Sequence, residues 1–258
     1  MKMNNAAMRG LSKKVNGGSM DVKSTPATHA GIGFKSLYFG LITVVTLVTS
    51  YVLFYKFLGV GNEEALSVLL LLAGLSGLPM FILSLVISFA PGTVKVCGTL
   101  YCILQGLFLS VLVALVDLAL PGVSLAAVLG TAVLVVVALL FSRVLGAKVS
   151  SKLTLGLMTV VCTLALTEGI LWILSLCGVY AFGALWWIQL IACGVCIIWG
   201  TVMLMADFQT AENMVNRGVD KKFEWNVGFA IITTVVYVYI NVLELIIRLM
   251  LIFGRHND

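Results

Sequence analysis

A carboxylate closes one polar stripe of this chain. Gln189, Cys193, Cys196, Gly200, Met203 or Leu204, and Asp207 recur at intervals of three and four through an otherwise apolar stretch, which places small or polar groups on one helical face ending in an acid. Asp207 sits near the C-terminal end of that helix, where the macrodipole is negative and disfavours a further anion. Such an acid wants a proton, a cation or a hydrogen-bond donor; a solvated acid at the helix end is the simpler alternative. A second stripe reads Thr233, Tyr237, Asn241, Glu244 and Arg248. Glu244 and Arg248 are spaced i, i+4, and their pairing accounts for both structurally. Asn241 has no local partner. A third stripe, Thr159, Thr163 and Thr167, runs up to Glu168; Glu168 fits either a functional acid or a hydrogen bond to a neighbouring helix.

These groups matter because of the elements that carry them. Apolar runs near Ser36–Tyr55, Ala65–Phe89, Val96–Leu120, Val123–Phe141, Thr154–Leu176, Ala184–Ala206 and Val227–Phe253 are each about the 20 residues that cross a bilayer. Such continuous runs specify helices rather than barrel strands. Hydrophobic residues make up 61% of the chain and charged ones 10%, with a mean hydropathy of +1.12, which excludes an ordinary soluble domain. The sequence therefore predicts an all-α polytopic membrane protein of seven spans, residues 35–258, behind a disordered basic tail, residues 1–34. Ionisable groups at membrane depth are costly and usually face a bundle interior. Asp117, at the outer end of the third span, reads as a structural loop acid.

The net charge of +5 concerns topology, not nucleic acid. With the N-terminus in the cytoplasm, only Lys56, Arg248 and Arg255 among the Lys and Arg residues fall on the far side, as expected where cytoplasmic loops collect basic residues. N-inside and C-outside is the expectation; an even number of spans with both ends inside is the alternative. The six cysteines lie in or at the ends of spans and form no disulfide framework, and Cys193-x-x-Cys196 without a histidine is a weak metal signal. Pro79 with Gly74 and Gly77 should bend the second span, and Gly106 with Ser110 gives a small-xxx-small surface on the third.

Enzyme chemistry finds few footholds. The histidines, His29 and His256, lie in terminal segments, so a buried Ser–His pair has no base in the spans. There is no G-x-G-D sequence for an intramembrane aspartyl protease, no Lys in the seventh span for a retinal Schiff base, and no Walker motif. No enzymatic activity and no cofactor are expected.

Asp207-Phe208, Glu212, Glu224-Trp225 and Tyr239-Ile240-Asn241, together with Tyr101 and Gln105-Gly106-Leu107-Phe108-Leu109, resemble the Bax-inhibitor family of membrane proteins, in its bacterial YccA-like branch. The resemblance covers nearly all the spans and is strongest from Ala206 to Arg248. It implies a seven-helix bundle with the last helix near its centre and a pH-sensitive calcium leak. It also implies that an acid on the sixth helix, here Asp207, pairs with a residue on the seventh, here Asn241, where the family has a second acid. Gln105 likewise stands where the family has Glu, so two acids are replaced by amides. Gln105, Glu168, Glu212, Glu224, Glu244 and Arg248 are the expected pathway or supporting residues. Asp207 is also the expected weak calcium site, with carbonyls, amides or water as the other ligands.

The expected function is passive cation permeation gated near Asp207, with calcium or protons as the permeant species and the lipid bilayer as the constant partner. The alternative is a non-transporting regulator that binds other membrane proteins. A bacterial inner membrane is the expected location, with an internal eukaryotic membrane as the alternative.

Overall fold

The computed structural model describes residues 26–61, 63–143, 156–164, 166–167 and 186–254. Among the described residues seven long helices run α1 (His29–Val60), α2 (Glu63–Leu75), α3 (Gly77–Phe89), α4 (Val94–Ala119), α5 (Val123–Arg143), α6 (Trp186–Asn216) and α7 (Glu224–Gly254), and no strand occurs. Six spans among the described residues are long and apolar enough to cross a membrane, α2 and α3 together supplying one of them, Leu66–Phe89. The expected span Thr154–Leu176 lies mostly outside the described residues; its described part, 156–164 and 166–167, is helical.

The ends of these helices follow from local chemistry. Thr28 caps α1 by accepting from the Gly31 amide at 3.0 Å, so the helix starts at His29, ahead of the boundary at residue 35 that hydropathy suggested. A capped helix can begin before its apolar stretch does. α6 likewise continues past Ala206 to Asn216, because its last turns place Ala211 and Met214 in a cluster with Phe223 and Val227. Gly218, at φ 61°, ends it: the Val219 amide donates to Met214 O and the Gly218 amide to Val215 O, the paired bonds of a Schellman turn. The expected bend in the second span is a break at Ser76, whose hydroxyl donates to Ala73 O at 2.6 Å. Pro79 lies in the first turn of α3, where its missing N–H is no loss.

The chain divides into two compact units. One comprises the residues up to Ser124 together with Thr210–Thr233. In it α1 and α4 run parallel, with Tyr38 beside Thr99, Thr43 beside Gly106 and Tyr51 beside Asp117. A Cβ on Gly106 would lie 2.6 Å from Thr43 O, so the backbones touch there, as the small-residue surface predicted. Asp117 accepts from Tyr51 at 3.1 Å and Ser124 at 2.6 Å, a structural role. Phe39, Ile87, Val94, Cys102 and Phe229 form one core of this unit, and Phe54, Leu69, Ala73, Val111 and Ala114 another.

The second unit comprises Leu125–Gln209 and Thr234–Asp258. A Cβ on Gly130 of α5 would lie 3.2 Å from Val242 of α7, and one on Gly200 of α6 would lie 2.7 Å from Val238, so small residues again set the helix separations. Large apolar side chains stay exposed, among them Val44, Val45 and Val48 on α1 and Leu125, Leu129 and Val133 on α5. On a soluble surface these would be aggregation patches; against acyl chains they are at home.

Candidate functional site

Within the second unit, α6 and α7 run antiparallel. Contacts step from Asp207 with Thr234, through Gly200 with Tyr237 and Val238 and Cys193 with Asn241, to Gln189 with Arg248. The small and polar stripe read from α6 therefore does face α7.

Asp207 is 3% exposed, and its Oδ2 accepts from the Thr234 hydroxyl at 2.7 Å. It takes part in none of the ion pairs among the described residues. The hydrogen bond expected between Asp207 and Asn241 is not formed. Asn241, 8% exposed, turns its amide back to Tyr237 O at 2.8 Å, and its main-chain carbonyl accepts from the Cys193 thiol at 3.0 Å. The physical reason is axial register: Asn241 lies seven residues, about 10 Å, beyond Thr234 along the same helix. At the start of the α7 stripe Thr234 takes the place expected of Thr233. Thr233 spends its hydroxyl on Phe229 O and Ala230 O of its own helix, while Thr234 joins Tyr237, Val238, Asn241 and Arg248 in meeting α6.

At the other end of the same seam, Arg248 donates to Gln189 Oε1 at 2.5 Å and, through Nε, to Glu244 Oε1 at 3.1 Å. The i, i+4 ion pair read from the sequence is present and is tied across to α6 by the buried Gln189. The seam thus runs from a carboxyl met by a hydroxyl to a guanidinium matched by a carboxylate.

The first unit holds a second buried acid. Glu224, the first residue of α7, has no exposed side-chain surface, and its Oε2 pairs with Lys35 Nζ at 2.5 Å. Its Oε1 accepts from the Thr28 amide at 2.8 Å, and a Cβ on Gly31 would fall 2.6 Å from its Cδ. Glu224 therefore braces the start of α1 and also lies favourably at the positive end of α7. Thr28, Gly31 and Lys35 were not singled out from the sequence. A threonine just before an apolar run was the available signal.

Gln105 is 6% exposed, and its Oε1 has no hydrogen-bond partner among the described residues. Leaving a buried acceptor unmade costs about 1–3 kcal/mol. Glu212 is exposed on α6, and Glu168 lies outside the described residues. Among the described residues no three His, Cys, Asp or Glu side chains gather where they could hold a metal ion, so a cation at Asp207 would draw its other ligands from neutral oxygens.

No curated protein and no solved structure matches the sequence significantly. The model of the family described as Bax inhibitor 1 like matches residues 4–251, a stretch that holds the α6–α7 seam, the Lys35–Glu224 brace and every described span. With nearly its whole length matched, this integral membrane protein belongs to the Bax inhibitor 1 like family.

Proposed function

We propose that the chain is a passive cation leak, with calcium the leading ion, in which Asp207 is the proton-responsive element. The observation that carries the reading is a carboxyl buried in the α6–α7 seam and met, among the described residues, by a neutral hydroxyl rather than by a cation. Such a group exchanges a proton or accepts a passing cation at little cost to its surroundings. Oxygens of Thr234, Asn241 and Gln189 recur along the seam from Asp207 and would be the partners of a passing cation. The N-terminus is taken as cytoplasmic, in a bacterial inner membrane.

Calcium entry into liposomes containing only this protein, followed from mildly acidic to mildly basic pH, tests the reading. The parent should pass calcium with a one-proton dependence on pH, and Asp207→Asn should lose that dependence. Unchanged pH dependence in Asp207→Asn would move the sensor elsewhere. Because the register joins Asp207 to Thr234, the variant that supplies a second interacting carboxyl is Thr234→Asp. Its pH response should spread over a wider range, since two carboxyls sharing a site titrate as a pair.

A second reading draws on the two amides. Gln105 and Asn241 carry no charge, and Asn241 is bonded within its own helix, an arrangement that suits a non-transporting regulator acting on other membrane proteins. Absence of flux in the parent and in both variants would select it.

A further inference from the structure

The first unit gathers cations at one end of its spans, and not all of them are matched. α1, α4 and α7 all have spans beginning at this end. The Trp225 ring has Lys35 Nζ at 5.1 Å and Lys95 Nζ at 5.6 Å from its centroid. Lys35 is already satisfied, by Glu224 and by Lys221 O at 3.1 Å. It fixes the ring and the 3₁₀ turn Lys221–Phe223 in place. Lys222 is matched by Asp220 at 2.8 Å. Lys95 and Lys221 are exposed, and neither is in an ion pair among the described residues.

What lies beneath these lysines has an order of its own. One turn further along the parallel helices α1 and α4, Tyr38 and Thr99 bring their hydroxyl oxygens within 3.4 Å of each other at an exposed position. One turn beyond that, Leu41 and Ile103 are exposed. From the membrane end inwards the surface therefore reads ammonium, aromatic ring with hydroxyls, then aliphatic. A phospholipid reads phosphate, glycerol ester, then acyl chain along the same axis.

The geometry points to a binding site for one acidic phospholipid, its headgroup phosphate held by Lys95 and Lys221 over Trp225, its ester oxygens at Tyr38 and Thr99, and an acyl chain along Leu41 and Ile103. The ammonium groups supply the preference for an anionic headgroup, and the amphipathic aromatic residues hold it at the interfacial depth they favour. Lys35 could not serve, because its charge is spent on Glu224; its part is to position Trp225. This site makes no use of the α6–α7 seam and stands whether or not the chain conducts ions.

Native mass spectrometry of the full chain, released from detergent with phosphatidylglycerol or phosphatidylcholine of identical acyl chains, tests the assignment. The parent should retain one phosphatidylglycerol under activation that strips phosphatidylcholine. Lys95→Gln with Lys221→Gln should weaken phosphatidylglycerol binding on the order of tenfold or more, whereas Lys222→Gln should leave it unchanged. Lys95→Arg keeps the charge and should bind as the parent does, so comparing Lys95→Arg with Lys95→Gln isolates charge even if the double variant folds poorly. Equal retention of the two lipids overturns the proposal, as does parent-like binding by Lys95→Gln with Lys221→Gln. Displacement of the lipid by inorganic phosphate at equal concentration also overturns it, because the apolar part of the surface would then contribute nothing.

Discussion

Glu224 and Asp207 are both carboxyls with almost no exposed surface, and the two compact units hold them by opposite means. Glu224 meets an ammonium, a backbone amide and a bare glycine, and every one of these contacts ties it to the first turns of α1. Asp207 meets the hydroxyl of Thr234. A buried carboxylate matched by a cation is tied to that charge, since removing its own charge strands the cation. One matched by a hydroxyl can change state and keep a hydrogen bond, because Ser and Thr hydroxyls both donate and accept. Burial alone therefore does not distinguish a bracing acid from a responsive one; the partner does.

The comparison breaks first at Glu224. Glu224→Gln keeps shape and an acceptor for the Thr28 amide but leaves the Lys35 ammonium, 14% exposed, without its counter-charge, and should cost about 3 kcal/mol of stability. Denaturant or thermal unfolding in detergent measures it, and a second change, Lys35→Met, should recover much of the loss. A neutral Glu224→Gln would mean that the pair braces nothing.

Gly31→Ala should act on the same brace through space rather than charge. Its Cβ falls 2.6 Å from Glu224 Cδ, so the carboxylate must shift, at a cost of about 1–3 kcal/mol. The same unfolding assay reads it. Asp207→Asn should behave in the contrary way, shifting stability by less than about 1 kcal/mol because the hydroxyl of Thr234 still has an oxygen to meet. A loss as large as that of Glu224→Gln would erase the distinction between the two acids.

The smallest effect is expected at Asp220, in the turn before α7. The Lys222 side chain and amide hold its carboxyl below the usual carboxylate range. A lowered value means stabilisation that is present at neutral pH and disappears as pH falls through that value. The side chains are near the surface, so Asp220→Asn should cost only a few tenths of a kcal/mol, and the difference from the parent should vanish in strong acid. A difference that grew in acid would reverse the sign of the interaction.

Much of this was legible in the residues, and the misses have common causes. Continuous apolar runs located the six spans found among the described residues, because the bilayer sets both their length and their composition. The stripe from Gln189 to Asp207 faced a partner helix as its spacing required, and the break near Pro79 fell within a few residues of the proline. What periodicity could not give was the axial register between helices. Asp207 was matched to Asn241 by analogy, and a slip of two turns gives it Thr234 instead. Nor could hydropathy see that polar residues continue α1 and α6 beyond their apolar runs. The Lys35–Glu224 pair joins residues nearly two hundred positions apart, and no local pattern announces it.

The break at Ser76 gives the second span a mechanical property that α1 lacks. Leu66–Phe89 has 24 residues, about 36 Å of helix against a hydrocarbon core of about 30 Å. An unbroken rod such as the 32-residue α1 answers such a mismatch by leaning as a whole or projecting into the headgroups. At Ser76 the backbone keeps helical angles while its amide is shared between Leu72 O and Ala73 O, so any change of angle between the two halves would turn on this one residue and would shorten the span across the bilayer with its ends in place.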